Sequence, residues 1–169
     1  SLSSDGSVVA IGARYNDGGG SNSGHVRIYE NNNGTWTQIG SDIDGESSSD
    51  YSGYAVSLSA DGSVVAIGAY ANDGGGGGNS GHVRIYENNN GTWTQIGSDI
   101  DGESYSDYSG SSVSLSADGS VVAIGAYGND GGGSNSGHVR IYENNNGTWT
   151  QIGSDIDGES SSDYFGWSV

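Results

Sequence analysis

Cysteine, proline, methionine and lysine are all missing from the 169 residues, and only four arginines stand against 21 acidic residues. Without cysteine there is no disulfide framework and no thiol chemistry. A net charge of −17 with so few cations argues against nucleic acid and anionic membrane as partners, because both reward clustered positive charge. It favours solubility, divalent cations or salty surroundings. No stretch is long and apolar enough for a transmembrane helix, so no membrane insertion is expected. No leader-like segment is read, although a chain that opens in mid-repeat leaves room for one upstream. Helical periodicity is absent throughout.

What is present is repetition. Apolar residues make up only 31% of the chain, yet they gather into β-branched and aromatic clusters at regular places, which argues for a folded chain rather than a disordered one. The segment V-SLS-ADG-SVVAIGA at Val56–Ala69 returns around Ser1–Ala13 and Ser114–Ala126. Ser1, Ser57 and Ser114 are equivalent, giving periods of 56 and 57 residues and three repeats at 1–56, 57–113 and 114–169. A unit this long, holding several strands, points to a propeller or a stacked β array.

Within each repeat the turn chemistry sets four strands. Asp61-Gly62 between short apolar segments reads as a hairpin turn with both positions at φ > 0, joining strand one to strand two. In the first repeat, strand two is Ser7–Ala13, followed by a Gly/Asn/Ser loop at Arg14–Gly24. The second copy of that loop carries one extra residue within Gly74–Gly78, as a surface connection tolerates. Strand three is His25–Glu30, with Val26 and Ile28 on one face and His25, Arg27 and Tyr29 on the other. Asn33-Gly34 supplies a second turn. Strand four is Thr35–Ile39, and Ser41–Gly53 returns the chain to the next strand one. Four short antiparallel strands are the content of one propeller blade, with strands one and two nearest the axis. The expected fold is therefore all-β: three tandem, four-stranded antiparallel blades, propeller-like. Three are too few to close, so self-association or further repeats are required.

Phe165-Gly166-Trp167-Ser168-Val169, Ile124-Gly125-Ala126-Tyr127 and Gly137-His138-Val139-Arg140-Ile141-Tyr142 resemble the F-G-x-S-V, I-G-A-P and G-x-V-Y-V-F segments of FG-GAP repeats, the blades of integrin-α-type β-propellers. The resemblance covers all three repeats, although the first two carry Ser52-Gly53 and Ser109-Gly110 where the third has Phe165-Gly166. It implies the propeller fold. The family's proline is replaced by Arg14, Tyr70 and Tyr127. Its aspartate-rich calcium loop is cut down to Asp5-Gly6, Asp61-Gly62 and Asp118-Gly119, and one carboxylate per turn falls short of the six or more oxygens that calcium takes. The family's calcium site is not carried over.

Several features suggest sites. Asn-Gly-Thr recurs with Asn33, Asn90 and Asn146 in exposed turns, as N-glycan acceptors if the protein is secreted, or as plain turn residues. The connector acids Asp42, Asp44, Glu46, then Asp99, Asp101, Glu103, then Asp155, Asp157, Glu159 could hold calcium or act as a solvated loop. His25, His82 and His138 start strand three and read as structural, since symmetry would gather them into a metal site only near the axis. Trp36, Trp93 and Trp149 suit either inter-blade packing or a carbohydrate-stacking surface. Phe165, Gly166, Trp167, Ser168 and Val169 are the missing first half of the strand whose second half is Ser1, Leu2 and Ser3, marking a chain junction. No catalytic constellation stands apart from its own repetition, so no enzyme and no obligate cofactor is expected. The expected function is an extracellular or cell-surface structural protein, self-assembling as a fibre, coat or adhesin stalk, with calcium and N-linked glycans as optional additions. The alternatives are a glycan- or protein-binding propeller and a designed symmetric scaffold; small irregularities among the repeats speak for a natural sequence.

Overall fold

The computed structural model describes every residue from Ser1 to Val169 and contains strands and no helix. Blade 1 holds β1 (Val8–Ala13), β2 (His25–Asn32), β3 (Thr35–Gln38) and β4 (Ile43–Asp44). Blade 2 holds β5 (Ala55–Leu58), β6 (Val64–Ala69), β7 (His82–Asn89), β8 (Thr92–Gln95) and β9 (Ile100–Asp101). Blade 3 repeats that set as β10 (Ser109–Leu115), β11 (Val121–Ala126), β12 (His138–Asn145), β13 (Thr148–Gln151) and β14 (Ile156–Asp157). Each blade is one antiparallel sheet, ordered β5-β6-β7-β8 in blade 2, and the three do not close into a ring. The repeat boundaries at 56/57 and 113/114 fall inside β5 and β10.

Two details differ from the sequence reading. A two-residue strand follows the fourth in every blade: Ile43-Asp44 pairs with Val26 and His25 along the edge of β2 that β3 leaves free. The Asp-Gly hairpin is also not a two-residue turn with both positions at φ > 0. Only Gly62 is left-handed (φ 73°), and its N–H donates to Ser59 O, while Ser59 N donates to Val64 O. The aspartate explains this form. Asp61 Oδ1 accepts from Ser63 N, Ser63 Oγ and Ser59 Oγ, a local cage that holds a longer, bulged turn. The same cage holds the carboxyl of Asp118 at about 2, with hydrogen bonds from Ser116 and Ser120 as the cause. By contrast Asn33 (φ 53°) and Gly34 (φ 91°) are both left-handed, as a two-residue hairpin requires, and Gly34 N donates to Asn31 Oδ1 at 2.7 Å.

The core lies between blades, not within them. One face of blade 1, with Ala10, Val26, Ile28 and Ile43, packs against Leu58, Val65, Ile67 and Tyr86 of blade 2. The opposite face of blade 2, with Ala66, Val83, Ile85 and Ile100, packs against Val122, Ile124 and Tyr142 of blade 3. Period-2 alternation therefore sends successive residues of VVAI to different neighbours, and every blade needs a partner on both sides. Backbone bonds tie the inner edge: Ser4 N donates to Ala60 O and Ala60 N to Ala117 O, linking the hairpin turns of successive blades. The glycine of each IGA segment admits the next inner strand, because a Cβ on Gly68 would collide with the carbonyl oxygen of Gly110.

Candidate functional site

Where two blades meet, the start of strand three faces the connector from the preceding blade. Alternation along β7 puts His82, Arg84 and Tyr86 on one side, all buried in the junction. The Arg84 guanidinium donates to Asp44 O (2.8 Å) and lies 3.3 Å from Glu46 Oε1, so it reaches back into the preceding blade's connector. Asp99, from the connector of its own blade, receives Gln95 Nε2 on Oδ1, while Oδ2 faces His82 Nδ1 at 3.5 Å. Blade 3 repeats the arrangement: Arg140 takes Asp101 O and Glu103, and His138 Nδ1 stands 3.7 Å from Asp155 Oδ2. In blade 1 Arg27 instead closes a two-pronged pair with Asp42, which also accepts from Gln38, and its carboxyl is held down at about 2, with the Arg27 bond as the main cause.

The histidines thus sit in a low-dielectric junction beside a guanidinium. Burial first, and Arg84 second, lower the pKa of His82; burial and Arg140 do the same for His138. A histidine depressed in the folded state binds fewer protons than in the unfolded chain. Its stabilising contribution is complete above the unfolded value of about 6.5 and is lost as pH falls from there through the folded pKa. The urea midpoint in the presence of EDTA is therefore expected to drop between pH 7.5 and pH 5, well before the aspartate cages titrate, and H82Q/H138Q should flatten that limb. An unchanged midpoint over this range would count against burial of the neutral imidazoles.

The first junction also opens into a polar cleft of about 630 Å³ whose walls carry Glu46, Asp50, Asp73, Asp99 and Asp101. Buried Asp50 is spoken for: Oδ2 accepts from Ser47 N and Asn72 Nδ2, which pins the connector to the next blade's loop. The connector acids, read from sequence as one set per connector, are divided by the fold. Glu46 joins Asp99 across a junction, Glu103 joins Asp155, Asp42 and Asp44 gather beside His25, and Asp157 and Glu159 lie exposed on blade 3. Sequence reasoning confined each carboxylate set to its own connector and read each histidine as a structural strand-start residue. The signal it passed over is an arginine two residues after every histidine, able to draw a glutamate from the neighbouring repeat.

The remaining candidates separate clearly. Trp93 and Trp149 lie half-buried in the junctions, and their Nε1 groups donate to Ile39 O and Ile96 O of the preceding blade at 2.9 Å. Trp36, on the open face of blade 1, is exposed and shares an apolar groove with Val9, Ile11 and Tyr29. Asn33, Asn90 and Asn146 are exposed at left-handed turn positions. At the junction residues, Ser1 Oγ accepts from Leu58 N and Leu2 pairs with Val9, so Ser1–Ser3 hold the inner edge of blade 1. Phe165 pairs with Gly137, and Gly166 O sits against Gly125, leaving Trp167, Ser168 and Val169 exposed beside blade 3. Opposite the Asp-Gly turns, Tyr15, Tyr51, Tyr70, Tyr108, Tyr127 and Trp167 form a ribbon of rings with centroids 4.6 to 6.0 Å apart. Burial there pushes the Tyr127 phenol up to about 12.

Residues 98–142 match the FG-GAP repeat model, a span that runs from the second connector into strand three of blade 3. Among solved structures, a candidate 6-phosphogluconolactonase from Bacteroides uniformis superposes with a TM-score of 0.60 at 14% identity, over 96% of this chain. The match takes up 40% of that chain, and at such identity it establishes the fold alone. No protein of curated function matches the sequence.

Proposed function

We propose that this is a non-enzymatic structural protein of the extracellular space or cell surface, whose work is to extend itself blade upon blade. The carrying observation is the open face of blade 1. Ile11 is 51% exposed, whereas its equivalents Ile67 and Ile124 are each 1% exposed under the preceding blade. At the other end Ile152 and Ile156 of blade 3 are exposed, while the corresponding Ile96 and Ile100 are packed against a following blade. The two internal junctions supply the template for what covers these faces, namely a blade of the same repeat, contributed by a second copy of the chain or by further repeats of a longer one. Contact of unlike faces is head-to-tail, so it propagates into rings or filaments rather than stopping at a symmetric dimer. With the indoles of Trp93 and Trp149 engaged in blade packing, the equivalent Trp36 is read as the same contact awaiting its neighbour. The recurrence of the same polar residue types in every blade supports a role without catalysis.

Light scattering and electron microscopy of the same sample test this. Assemblies above the single-chain mass are expected, and I11E or I156E alone should reduce them to monomers. Because each variant keeps one good face, mixing the two should give dimers and nothing larger. A monomeric wild-type chain, or assembly indifferent to I11E, would overturn the proposal.

A further inference from the structure

The junction of two blades holds an imidazole and two carboxylates, one of which, a glutamate, comes from the preceding blade's connector. His82, Asp99 and Glu46 offer ligand atoms all within 4.8 Å of one another, as do His138, Asp155 and Glu103. An acidic cluster by itself means little in a chain this negative. Here a second observation points inward: His138 is 1% exposed, its Nδ1 has no hydrogen-bond partner, and the atom faces Asp155 Oδ2 at 3.7 Å. A buried nitrogen without a partner is costly and asks for an explanation.

The spacing supplies one. His82 Nδ1 to Asp99 Oδ2 is 3.5 Å and His138 Nδ1 to Asp155 Oδ2 is 3.7 Å, both too long for a good hydrogen bond. Two ligands held tetrahedrally, each about 2.1 Å from one zinc ion, stand about 3.4 Å apart. We infer that each blade junction is a binding site for a zinc-like divalent cation, held by His82, Asp99 and Glu46 at the first junction and by His138, Asp155 and Glu103 at the second. The imidazole in the donor set favours zinc over calcium, which takes oxygen ligands. Depressed histidine pKa values keep the rings neutral and the lone pair free at neutral pH.

The neighbouring arginine fits this scheme. Arg84 keeps its bond to Asp44 O while Glu46, at the edge of the open cleft, turns from the guanidinium to the ion. By drawing on the preceding connector, Arg84 also leaves Asp99 Oδ2 to the histidine. In blade 1 the equivalent His25 lies beside Asp42 and Asp44, but Arg27 occupies both oxygens of Asp42 and the donor set holds no glutamate, so His25 is the comparison site. The ion would clip the connector of one blade to strand three of the next, and it does so however the array is closed.

Zn²⁺ titrated calorimetrically into EDTA-stripped chain at pH 7.5 is expected to fill two sites per chain and to raise Tm. H138Q should remove one site and H82Q/H138Q both, with affinity at each altered site falling about 100-fold or more. Long-range ¹⁵N–¹H spectra of the unaltered chain provide a reading that no folding defect can mimic. Zn²⁺ should shift Nδ1 of His82 and His138 and leave His25 where it is. Zinc uptake that survives H82Q/H138Q, equal shifts at all three histidines, or tight Ca²⁺ binding at the same positions would each overturn the inference.

Discussion

Gly68→Ala is expected to remove about 3–4 kcal/mol of stability, enough to leave a marginally stable chain largely unfolded at 37 °C. The residue is an ordinary-φ strand glycine, so the cost does not come from backbone strain. It comes from the inner edge of the array, where the carbonyl of Gly110 fills the space that a Cβ would need. Gly12 meets Gly53 and Gly125 meets Gly166 in the same way, so the closest approach of consecutive blades is made by backbone against backbone. Neither neighbour is a flexible side chain that could move aside. Gly34→Ala is the control: nothing lies within 4 Å, and the price is the left-handed φ of 91° alone, about 1–2 kcal/mol. Urea unfolding of both variants checks the contrast, and equal losses would mean that the inner edge is loosely packed.

Ile67→Ala should cost about 2–5 kcal/mol, whereas Ile11→Ala should cost less than about 1 kcal/mol in the isolated chain. The two isoleucines occupy the same place in the same VVAIGA segment. Ile67 is buried against Ala10, Val26 and Ile28 of the preceding blade, and Ile11 faces an open groove. Stability in this chain is therefore assigned by position in the array and not by local sequence, as expected when each unit contacts only its neighbours. The comparison is made at a protein concentration where scattering gives the monomer mass. Raised into the assembling range, Ile11→Ala should begin to weaken association even though it scarcely alters the monomer. If both variants lose the same stability as monomers, the blades pack internally and the junction cores are not the main source of stability.

Strand order, blade number and the second hairpin of each unit were legible because they rest on local rules. Alternation in HVRIYE and the Asn-Gly pair fix β2 and β3 without reference to anything distant. The two-residue strand Ile43-Asp44 escaped because a pair so short has no periodicity to detect. The Asp-Gly turn was misjudged in its geometry because a serine two residues before and another two after the aspartate capture its carboxylate, and side-chain competition of that kind overrides the usual turn preference. The junction site was beyond a repeat-by-repeat reading for a different reason. Glu46 and His82 belong to different repeats, and their meeting depends on how far one blade is rotated against the next.

The cap on the Asn-Gly turns bears on how the protein ages. Asparagine followed by glycine loses its side-chain amide when the glycine nitrogen attacks the asparagine carbonyl to form a cyclic imide. In the folded chain that nitrogen is occupied: Gly34 N donates to Asn31 Oδ1, Gly91 N to Asn88 Oδ1 and Gly147 N to Asn144 Oδ1, each at 2.7 Å. Asn31, Asn88 and Asn144 thus guard the neighbouring Asn-Gly pairs, so amide loss at Asn33, Asn90 and Asn146 becomes a slow chemical clock that runs while the hairpins are open.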